Sequence, residues 1–413
     1  MKICMVLAGY FPPDIRVEKE ARALLSAGHK IFLLSLGKTG LSAVENINGI
    51  NVIRVFPPES FLNRVWDFLW FSVFFDNSPW KRALVDTVKQ YKIEAIHVHD
   101  LPMVKTATPV AKKFDIPIIA DLHENYPEGL RAWRKEKIPW KSKILNLASP
   151  VWRWKRLERS VLQRMDRIIT VVDEAKEHYV NDCGIPSEKI TVVMNAEDLD
   201  EFGNLEIDQS LVTKYENNFV ISYIGGFGPH RGIDTAIKSM PQILKEIPDA
   251  KLLLVGGKGS EEYEKELKKL CKELKVENNV EFTGWVDFSF VPSYIALSDV
   301  CLVSHHASGH TNTTIPHKLF QYMAMRKPVI VTDCKPLKRI VEECDCGIVV
   351  PSGDYNEMTE AVIRLYKDKE YARKLGENGR RAVEEKYNWE NEAKKLCEFY
   401  GKEVKKYDNT ENI

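Results

Sequence analysis

Residues 316–333 read PHKLFQYMAMRKPVIVTD, and this stretch decides the fold class of the chain. Its first part predicts a short amphipathic helix, because Leu319, Tyr322 and Met323 fall on one helical face. Residues 329–331 are a continuous β-branched run, which is typical of a strand covered on both sides. A helix that leads directly into a buried strand is the repeating unit of a parallel α/β sheet.

The same alternation of buried strand, loop and amphipathic helix recurs in both halves of the chain. Strands are predicted at residues 2–7, 30–35, 52–55, 95–99, 116–120, 167–172 and 190–193, and again at 220–224, 251–255, 280–283, 300–304 and 328–332. Helices such as 17–27 and 104–113 fall between them. The pattern predicts an α/β protein of two doubly wound, Rossmann-like parallel-sheet domains that face each other across a cleft.

The expected domain boundaries follow from this alternation. We predict an N-terminal domain at residues 1–200 and a C-terminal domain at 201–385. Residues 386–413 are expected to form a helix that returns to the first domain, followed by a disordered tail. The acidic segment 197–201 suits an exposed hinge, and ligands are expected at the carboxyl ends of the strands.

Composition narrows the function classes. The 413 residues include 59 basic and 59 acidic side chains, so no global field favours nucleic acid. Eight cysteines without a CxxC pair indicate reduced thiols and a cytoplasmic protein. The apolar start at residues 1–7 is too short for a signal peptide, and the apolar run 65–75 is too short to span a membrane.

A glycine-rich loop suggests a phosphate site. Gly225, Gly226 and Gly228 directly follow a predicted strand, and Arg231 precedes the next helix. Glycine lets backbone N–H groups approach a phosphate, and arginine adds charged donors. Lys318, in the first turn of its helix, opposes the helix dipole unless an anion binds there. The alternatives are a plain strand-to-helix turn and a solvated lysine. The fingerprint GxGxxG, read from Gly226, ends on Arg231, which argues against a nicotinamide-dependent dehydrogenase.

The stretch 316–333, together with residues 9–16, 223–234 and 254–259, resembles family 4 retaining glycosyltransferases of the bacterial and archaeal polysaccharide or glycolipid type. The resemblance covers nearly the whole chain. It implies the GT-B fold and transfer of a sugar from a nucleotide diphosphate sugar to an acceptor hydroxyl, with retention of configuration. It also implies that the C-terminal domain binds the nucleotide and the N-terminal domain binds the carbohydrate or lipid-linked acceptor. No cofactor and no metal are expected, because helix N-termini, Arg231 and Lys318 would neutralise the leaving diphosphate.

The resemblance also assigns the nucleotide-sugar site, with Arg231 and Lys318 acting in catalysis as well. The expected binding residues are Gly225, Gly226, Arg231, Trp285, Thr313, Thr314, Lys318 and Gln321. The chain departs from the family at Gly226, usually arginine, at Arg231, usually lysine, and at Thr313 and Gln321, usually glutamates. Two alternatives stay open: a nucleotide-sugar epimerase or hydrolase on the same fold, and a catalytically degraded partner subunit, which the departures at Gly226, Thr313 and Gln321 suggest.

In the N-terminal domain, His123 matches the family's active-site histidine and is expected to act in catalysis near the sugar. Gly9, Asp14, Arg16 and Asp100 are assigned to a loop that contacts acceptor or phosphate. The alternative for His123 is a purely structural histidine. The alternative for Asp14 and Arg16 is an ion pair between the two side chains that contacts no ligand. The neighbouring His99 is expected to point into the core. A further group of histidines, at residues 305, 306, 310 and 317, fits no zinc spacing.

Two surface segments suggest a membrane partner. Residues 131–167 contain twelve basic and three acidic side chains with four interleaved tryptophans, and residues 61–80 contain eight aromatic side chains. This composition favours the headgroup layer of an anionic membrane, on the inner face of the cell membrane. Nucleic acid and a buried helix hairpin with a solvated basic face are the alternatives, and we expect no nucleic-acid partner.

Overall fold

The computed structural model describes residues 1–135, 149–257, 259 and 261–401, which form two compact units. The first unit contains residues 1–127, 149–194 and 392–401. The second contains residues 128–135 and the described part of 195–391. Each unit is built on its own sheet, so the prediction of two doubly wound α/β domains is confirmed. The predicted tail and part of the basic segment, residues 402–413 and 136–148, lie outside the described residues.

The first unit contains an eight-stranded sheet in the order β3-β4-β2-β1-β5-β6-β7-β8. Its strands are β1 (Lys2–Tyr10), β2 (Lys30–Leu36), β3 (Val44–Ile47), β4 (Ile50–Val55), β5 (Ala95–His99), β6 (Ile118–Leu122), β7 (Arg167–Thr170) and β8 (Ile190–Val192). The central strands β5 and β6 are fully buried, as parallel strands covered by helices are, but they carry three polar side chains, His97, His99 and Asp121.

Helices cover this sheet. They are α1 (Ile15–Ser26), α2 (Phe61–Phe74), α3 (Ser78–Tyr91), α4 (Leu101–Phe114), α6 (Val151–Leu162) and α7 (Asp173–Cys183). Helix α5 (Tyr126–Lys135) begins in this unit, and its residues 128–135 belong to the second unit. Helix α1 begins after Asp14, whose carboxylate accepts backbone N–H groups of the first turn, and α7 ends at Gly184 in the left-handed conformation. Among the described residues, no helix combines the length and the apolar composition needed to cross a membrane.

The second unit contains a six-stranded parallel sheet in the order β11-β10-β9-β12-β13-β14. Its strands are β9 (Phe219–Gly225), β10 (Ala250–Gly256), β11 (Val280–Gly284), β12 (Val300–Val303), β13 (Val329–Thr332) and β14 (Gly347–Val350). The register pairs Gly225 with Gly256, so two glycines end adjacent strands side by side.

The helices of the second unit follow its strands in alternation. They are α8 (Leu199–Gly203), α9 (Gln209–Lys214), α10 (Ile233–Glu246), α11 (Glu261–Glu273), α12 (Val291–Ala296), α13 (Lys318–Ala324), α14 (Lys335–Cys344), α15 (Tyr355–Lys367) and α16 (Lys369–Glu385). The last helix, α17 (Trp389–Phe399), begins in the second unit, and its residues 392–399 belong to the first. Buried side chains of α10, α11 and α15 pack with β9 and β10 in one apolar core. Helix α13 and strand β13 are the helix and strand predicted from residues 316–333.

Three sequence expectations need correction. Strand β3 was missed, and it pairs with β4 in the antiparallel sense through Asn48 and Gly49, both at positive φ. Asn-Gly between two apolar runs is a hairpin signal, so this strand was readable. Strand β14 was also missed. Glu197, expected in an exposed hinge, is only 5% exposed and its backbone oxygen accepts a hydrogen bond from Trp389.

Candidate functional site

Three histidines and two carboxylates meet in the first unit at the carboxyl ends of β5 and β6. We call this group, His97, His99, Asp121, His123 and Glu20, the histidine cluster, and all five side chains are buried. The register sets His99 beside Asp121, and His123 follows β6 by one residue. Because alternate residues of a strand share a face, His97 and His99 point the same way, as do Asp121 and His123.

One carboxylate oxygen organises the histidine cluster. Asp121 Oδ2 lies 3.0 Å from His97 Nε2, 3.1 Å from His123 Nε2 and 3.3 Å from His99 Nδ1. The far side of His97 is fixed by the Tyr400 hydroxyl, 2.7 Å from Nδ1. In contrast, His123 Nδ1 is buried without a hydrogen-bond partner in the described part of the chain. Asp121 therefore fixes one nitrogen of His123 and leaves the other available.

The electrostatics separate the members of the histidine cluster. Burial would lower the pKa of His123, but the charge of Asp121, its hydrogen bond to His123 and the charge of Asp100 together raise the pKa. Burial would raise the pKa of Asp121, but the histidines, His123 first, hold it well below its usual range. Burial and His97 lower the pKa of His99 to about 4. Burial and the neighbouring Asp121 raise the pKa of Glu20 well above its ordinary value. The cluster thus favours the ionised form of Asp121 and the protonated form of His123.

The predicted acceptor or phosphate loop is only partly a loop. Gly9 belongs to strand β1, so its placement in a loop was wrong. Asp14 caps α1 and forms an ion pair with Arg16 at 3.0 Å, which is the simpler reading of these two residues. Asp100 follows β5 at φ 63°, ψ 157°, an unfavourable backbone conformation for a residue with a side chain, and its Oδ1 is buried without a partner among the described residues. This conformation and the unbonded Oδ1 distinguish Asp100 from Asp14, and its assignment to acceptor or phosphate stays a prediction.

Metal-ligand geometry occurs in two places among the described residues. Glu20, His99, Asp121 and His123 bring ligand atoms within 4.8 Å of one another, and Glu158, His178 and Cys183 form a second group. The first group is the histidine cluster, in which hydrogen bonds already account for the close approach of His99, Asp121 and His123. The loop histidines His305, His306, His310 and His317 belong to neither group.

In the second unit, strand β9 ends in the glycine loop. Gly225 has φ 138°, and a Cβ there would lie 3.0 Å from Lys318 Nζ. Gly232, which precedes α10, has φ 63°, and a Cβ there would lie 1.9 Å from the Ser304 carbonyl oxygen. Both positions therefore require glycine, one for approach to a lysine and one for close backbone packing. Gly226 is half-buried between them, and its carbonyl accepts a hydrogen bond from the Tyr223 hydroxyl.

Lys318 is a buried cation beside this loop. It is 7% exposed, and its Nζ lies 3.4 Å from the centroid of the Tyr223 ring. Among the described residues Nζ has no hydrogen-bond partner. Burial, followed by the nearby Arg231, lowers the pKa of Lys318 well below its ordinary value. An unpaired amine in this position is costly for the free protein and suited to an anionic ligand.

The surroundings of Lys318 are also basic. Burial lowers the pKa of His305 well below its usual range, and Lys318, Arg231, His230 and His310 act in the same direction. Arg231 itself is half-buried at the end of a 3-10 turn, Pro229–Arg231. We call Gly225, Gly226, Arg231 and Lys318 the anion cluster.

The two family glutamate positions have different environments. Gln321, one turn beyond Lys318 on α13, donates a hydrogen bond from Nε2 to Glu197 Oε2 at 2.6 Å. The Thr313 hydroxyl donates to the carbonyl of Gly309 at 2.8 Å, and Thr314 bonds to the carbonyl of His310 at 3.2 Å. The threonine hydroxyls therefore stabilise their own turn, whereas Gln321 brings a carboxylate to α13. Trp285, just after β11, is 59% exposed.

Sequence reasoning missed Asp121, Glu20, Tyr223 and Glu197. The signal for Asp121 was present, since it lies two residues before His123 on the same strand face. Tyr223 could have been found in the same way, two residues before Gly225 on β9. Glu20 and Glu197 contact residues that are far away in sequence. No motif or periodicity in the neighbouring sequence predicts these contacts.

Two family models match the chain in sequence. The model described as Glycosyltransferase Family 4 matches residues 15–201, and the model described as Glycosyl transferases group 1 matches residues 206–382. The first match contains the histidine cluster and the second contains the anion cluster.

Relatives in sequence and in structure agree with these matches. An uncharacterized glycosyltransferase of Methanocaldococcus jannaschii is 25% identical over 412 residues, covering 97% of this chain and 98% of that protein. The GDP-mannose-dependent alpha-(1-6)-phosphatidylinositol monomannoside mannosyltransferase of Mycobacterium tuberculosis is 28% identical over 173 residues, 41% of this chain and 44% of that protein. Sucrose-phosphate synthase from Thermosynechococcus elongatus superposes with a TM-score of 0.79 at 19% identity, covering 97% of this chain and 98% of that structure, which shows a common fold.

Proposed function

This chain belongs to glycosyltransferase family 4 and has the GT-B fold, and we propose that it transfers a sugar from a nucleotide diphosphate sugar to an acceptor hydroxyl with retention of configuration. In this proposal the second unit binds the nucleotide sugar and the first unit binds the acceptor. The acceptor is carbohydrate or lipid-linked, as in polysaccharide or glycolipid assembly.

One observation carries the proposal: the buried, unpaired Lys318 amine at the end of a glycine-lined strand. The charged form of a buried amine without a hydrogen-bond partner is unfavourable in the free protein, and a bound diphosphate would stabilise that form. Arg231 adds forked, permanently charged donors, and Gly225 leaves room beside Lys318 Nζ. Two cations in a partly dry site also stabilise the charge that develops on a leaving diphosphate.

His123 is the proposed catalytic residue of the first unit. Its Nε2 is held by Asp121 and its Nδ1 is unbonded among the described residues, so it can offer one nitrogen to the reacting sugar. Resemblance to the family implies that the leaving diphosphate helps to deprotonate the acceptor hydroxyl on the same face of the sugar. The proposed reaction uses no metal and no cofactor.

The acceptor proposal includes a membrane surface. We place the protein in the cytoplasm, peripheral on the inner face of the cell membrane, where lipid-linked sugars are accessible. The Mycobacterium tuberculosis relative carries a phosphatidylinositol acceptor in its name, which supports an acceptor of this class. Nucleic acid has no place in the proposal.

Calorimetry with UDP, GDP and ADP, each with EDTA present, tests the nucleotide site. We expect one of the three nucleotides to bind with EDTA present, and the Lys318→Met variant to bind it more weakly. No binding of any nucleotide at millimolar concentration would overturn the proposal, and binding that EDTA abolishes would overturn its metal independence.

Product analysis separates the transferase from the other two functions. A transferase consumes nucleotide sugar only when an acceptor extract is supplied. Consumption without acceptor would indicate an epimerase or hydrolase. Nucleotide binding without turnover in any lipid or carbohydrate extract would indicate a degraded partner subunit. The threonine at position 313, where the family usually has a glutamate, supports this alternative.

A further inference from the structure

Helix α2, Phe61–Phe74, is the most unusual surface of the first unit. Among its fourteen residues nine large apolar side chains are exposed, and Ser72 is its one buried residue. Those exposed side chains are Phe61, Leu62, Val65, Trp66, Phe68, Leu69, Trp70, Val73 and Phe74. An exposed apolar surface of this density marks an interaction site.

The distribution of these side chains indicates the kind of partner. At about 100° per residue, the nine positions cover roughly two thirds of the helix circumference. A protein partner usually contacts one face of a helix, whereas lipid acyl chains can contact most of its circumference. The wide apolar surface of α2 therefore favours lipid. Fourteen residues rise about 21 Å, short of the ~30 Å hydrocarbon core, so α2 fits a helix that lies in the plane of an interface.

Helix α6 supplies the charge. Trp154 of α6 packs against Phe71 and Phe75 at the end of α2, with ring centroids 6.2 and 4.6 Å away. On the outer side of α6, Trp152 is 64% exposed, and Lys155 and Arg156 are also exposed. Tryptophan with exposed basic side chains is suited to the headgroup layer of an anionic membrane.

Two other basic residues of α6 have structural roles. Arg153 donates hydrogen bonds to the carbonyls of Ser72 and Val73, and so ties α6 to the end of α2. Arg159 donates two hydrogen bonds to the carbonyl of Asp182. On the outer side of α6, Lys155 and Arg156 are the basic side chains that the docking surface offers to a membrane.

An amphipathic cavity continues the same surface. It has a volume of about 780 Å³, and Trp70 and Phe74 of α2 line it together with Ile118 and Val161. Its charged lining is mixed, with four basic and three acidic side chains: Lys81, Lys105, Lys112, Arg164, Asp76, Asp115 and Asp166. The cavity therefore extends the apolar surface of α2, while its own charges do not select for an anionic headgroup.

We propose that α2 and the outer face of α6 dock the protein on an anionic lipid bilayer, with α2 immersed at the headgroup boundary. This assignment deepens the membrane part of the proposed function and rests on it. Docking restrains the first unit, which holds the histidine cluster, at the surface where lipid-linked acceptors lie.

Vesicle co-sedimentation tests the docking surface. The vesicles contain phosphatidylglycerol and phosphatidylcholine in equal parts, or phosphatidylcholine alone, over a salt series. The Phe61→Ser/Trp66→Ser variant should lose about tenfold or more in apparent affinity, because two exposed aromatic side chains no longer leave water. The Lys155→Gln/Arg156→Gln variant should bind more weakly at low salt and approach wild type at high salt. Leu41→Ser/Val44→Ser, which removes two exposed apolar residues elsewhere in the first unit, is the matched control and should bind as wild type does.

Two results would overturn the assignment. One is equal binding by wild type and the Phe61→Ser/Trp66→Ser variant. The other is a wild-type dimer that this variant dissociates, with no vesicle binding, which would make a second copy the partner. Calorimetry with nucleotide in lipid-free buffer separates this test from the transferase proposal, because the same variant should retain wild-type nucleotide affinity.

Discussion

Gln321 Nε2 donates a hydrogen bond of 2.6 Å to Glu197 Oε2, and both side chains are buried. The pair brings together residues 124 positions apart in the chain. A glutamine at position 321 satisfies the Glu197 carboxylate without adding a second negative charge. The helix that carries Lys318 therefore keeps a carboxylate beside it, although its own sequence lacks one.

Exchanging the charge between these two residues should reveal their coupling. Gln321→Glu sets two carboxylates against each other and should lower the free energy of unfolding by about 1–3 kcal/mol. The double variant Glu197→Gln/Gln321→Glu restores one donor and one acceptor and should recover most of that loss. Denaturant unfolding of both single variants and the double variant measures the coupling. Strictly additive effects would mean that the hydrogen bond contributes nothing to stability.

Loss of the buried amine should separate stability from binding. Lys318→Met removes a buried amine whose burial is unfavourable, so the free energy of unfolding should stay the same or rise. Affinity for the nucleotide should fall by about 1.5–3 kcal/mol, as should that of Arg231→Ala, because each loses a charge-assisted contact. Thermal unfolding and calorimetry measure the two quantities. Lys269→Ala, an exposed lysine on α11, is the control for a general loss of positive charge. A Lys318→Met protein that is less stable yet binds nucleotide normally would contradict the anion cluster.

Nucleotide binding should take up a proton. Burial holds the pKa of Lys318 well below its ordinary value of 10.5 in the free protein, and a bound diphosphate should raise it again. Between the two pKa values the bound form carries more protons than the free form, so affinity should weaken as pH rises. Calorimetry in buffers of different ionisation enthalpy, above about pH 7.5 where the phosphates are fully ionised, counts the protons. Uptake that persists in Lys318→Met would assign the proton to another group.

Substitution of His123 should affect turnover rather than nucleotide affinity. His123→Ala removes the one nitrogen of the histidine cluster that is proposed to face the reacting sugar, and general acid–base groups typically contribute about 10²–10⁴-fold in rate. Initial rates and calorimetry on the same preparation give the two values. Parallel losses of rate, affinity and melting temperature would make His123 a structural residue.

The sequence was sufficient to predict those elements whose fold and proposed site residues belong to the same local pattern. The α13–β13 unit, the glycine loop at Gly225 and the position of His123 after β6 each follow from periodicity and from strand ends. The Asn48-Gly49 hairpin carried an equally local signal that the prediction passed over.

Contacts between distant residues were beyond sequence reasoning. Nothing near Glu197 indicates that it faces Gln321, and nothing near Glu20 places it beside Asp121. The burial of Lys318 is a similar case, because a lysine in the first turn of a helix is usually solvated. Each depends on packing between separate elements, which a periodic pattern does not encode.

Helix α2 also has a practical consequence. The mean hydropathy of the chain, −0.29, describes a polar protein and conceals one segment whose exposed residues are mostly apolar. In buffer without lipid or detergent these apolar side chains stay exposed to water, so self-association at high protein concentration should begin at α2. Purification in a mild detergent or in lipid nanodiscs covers these side chains, and preparations made without either will understate the yield of active protein.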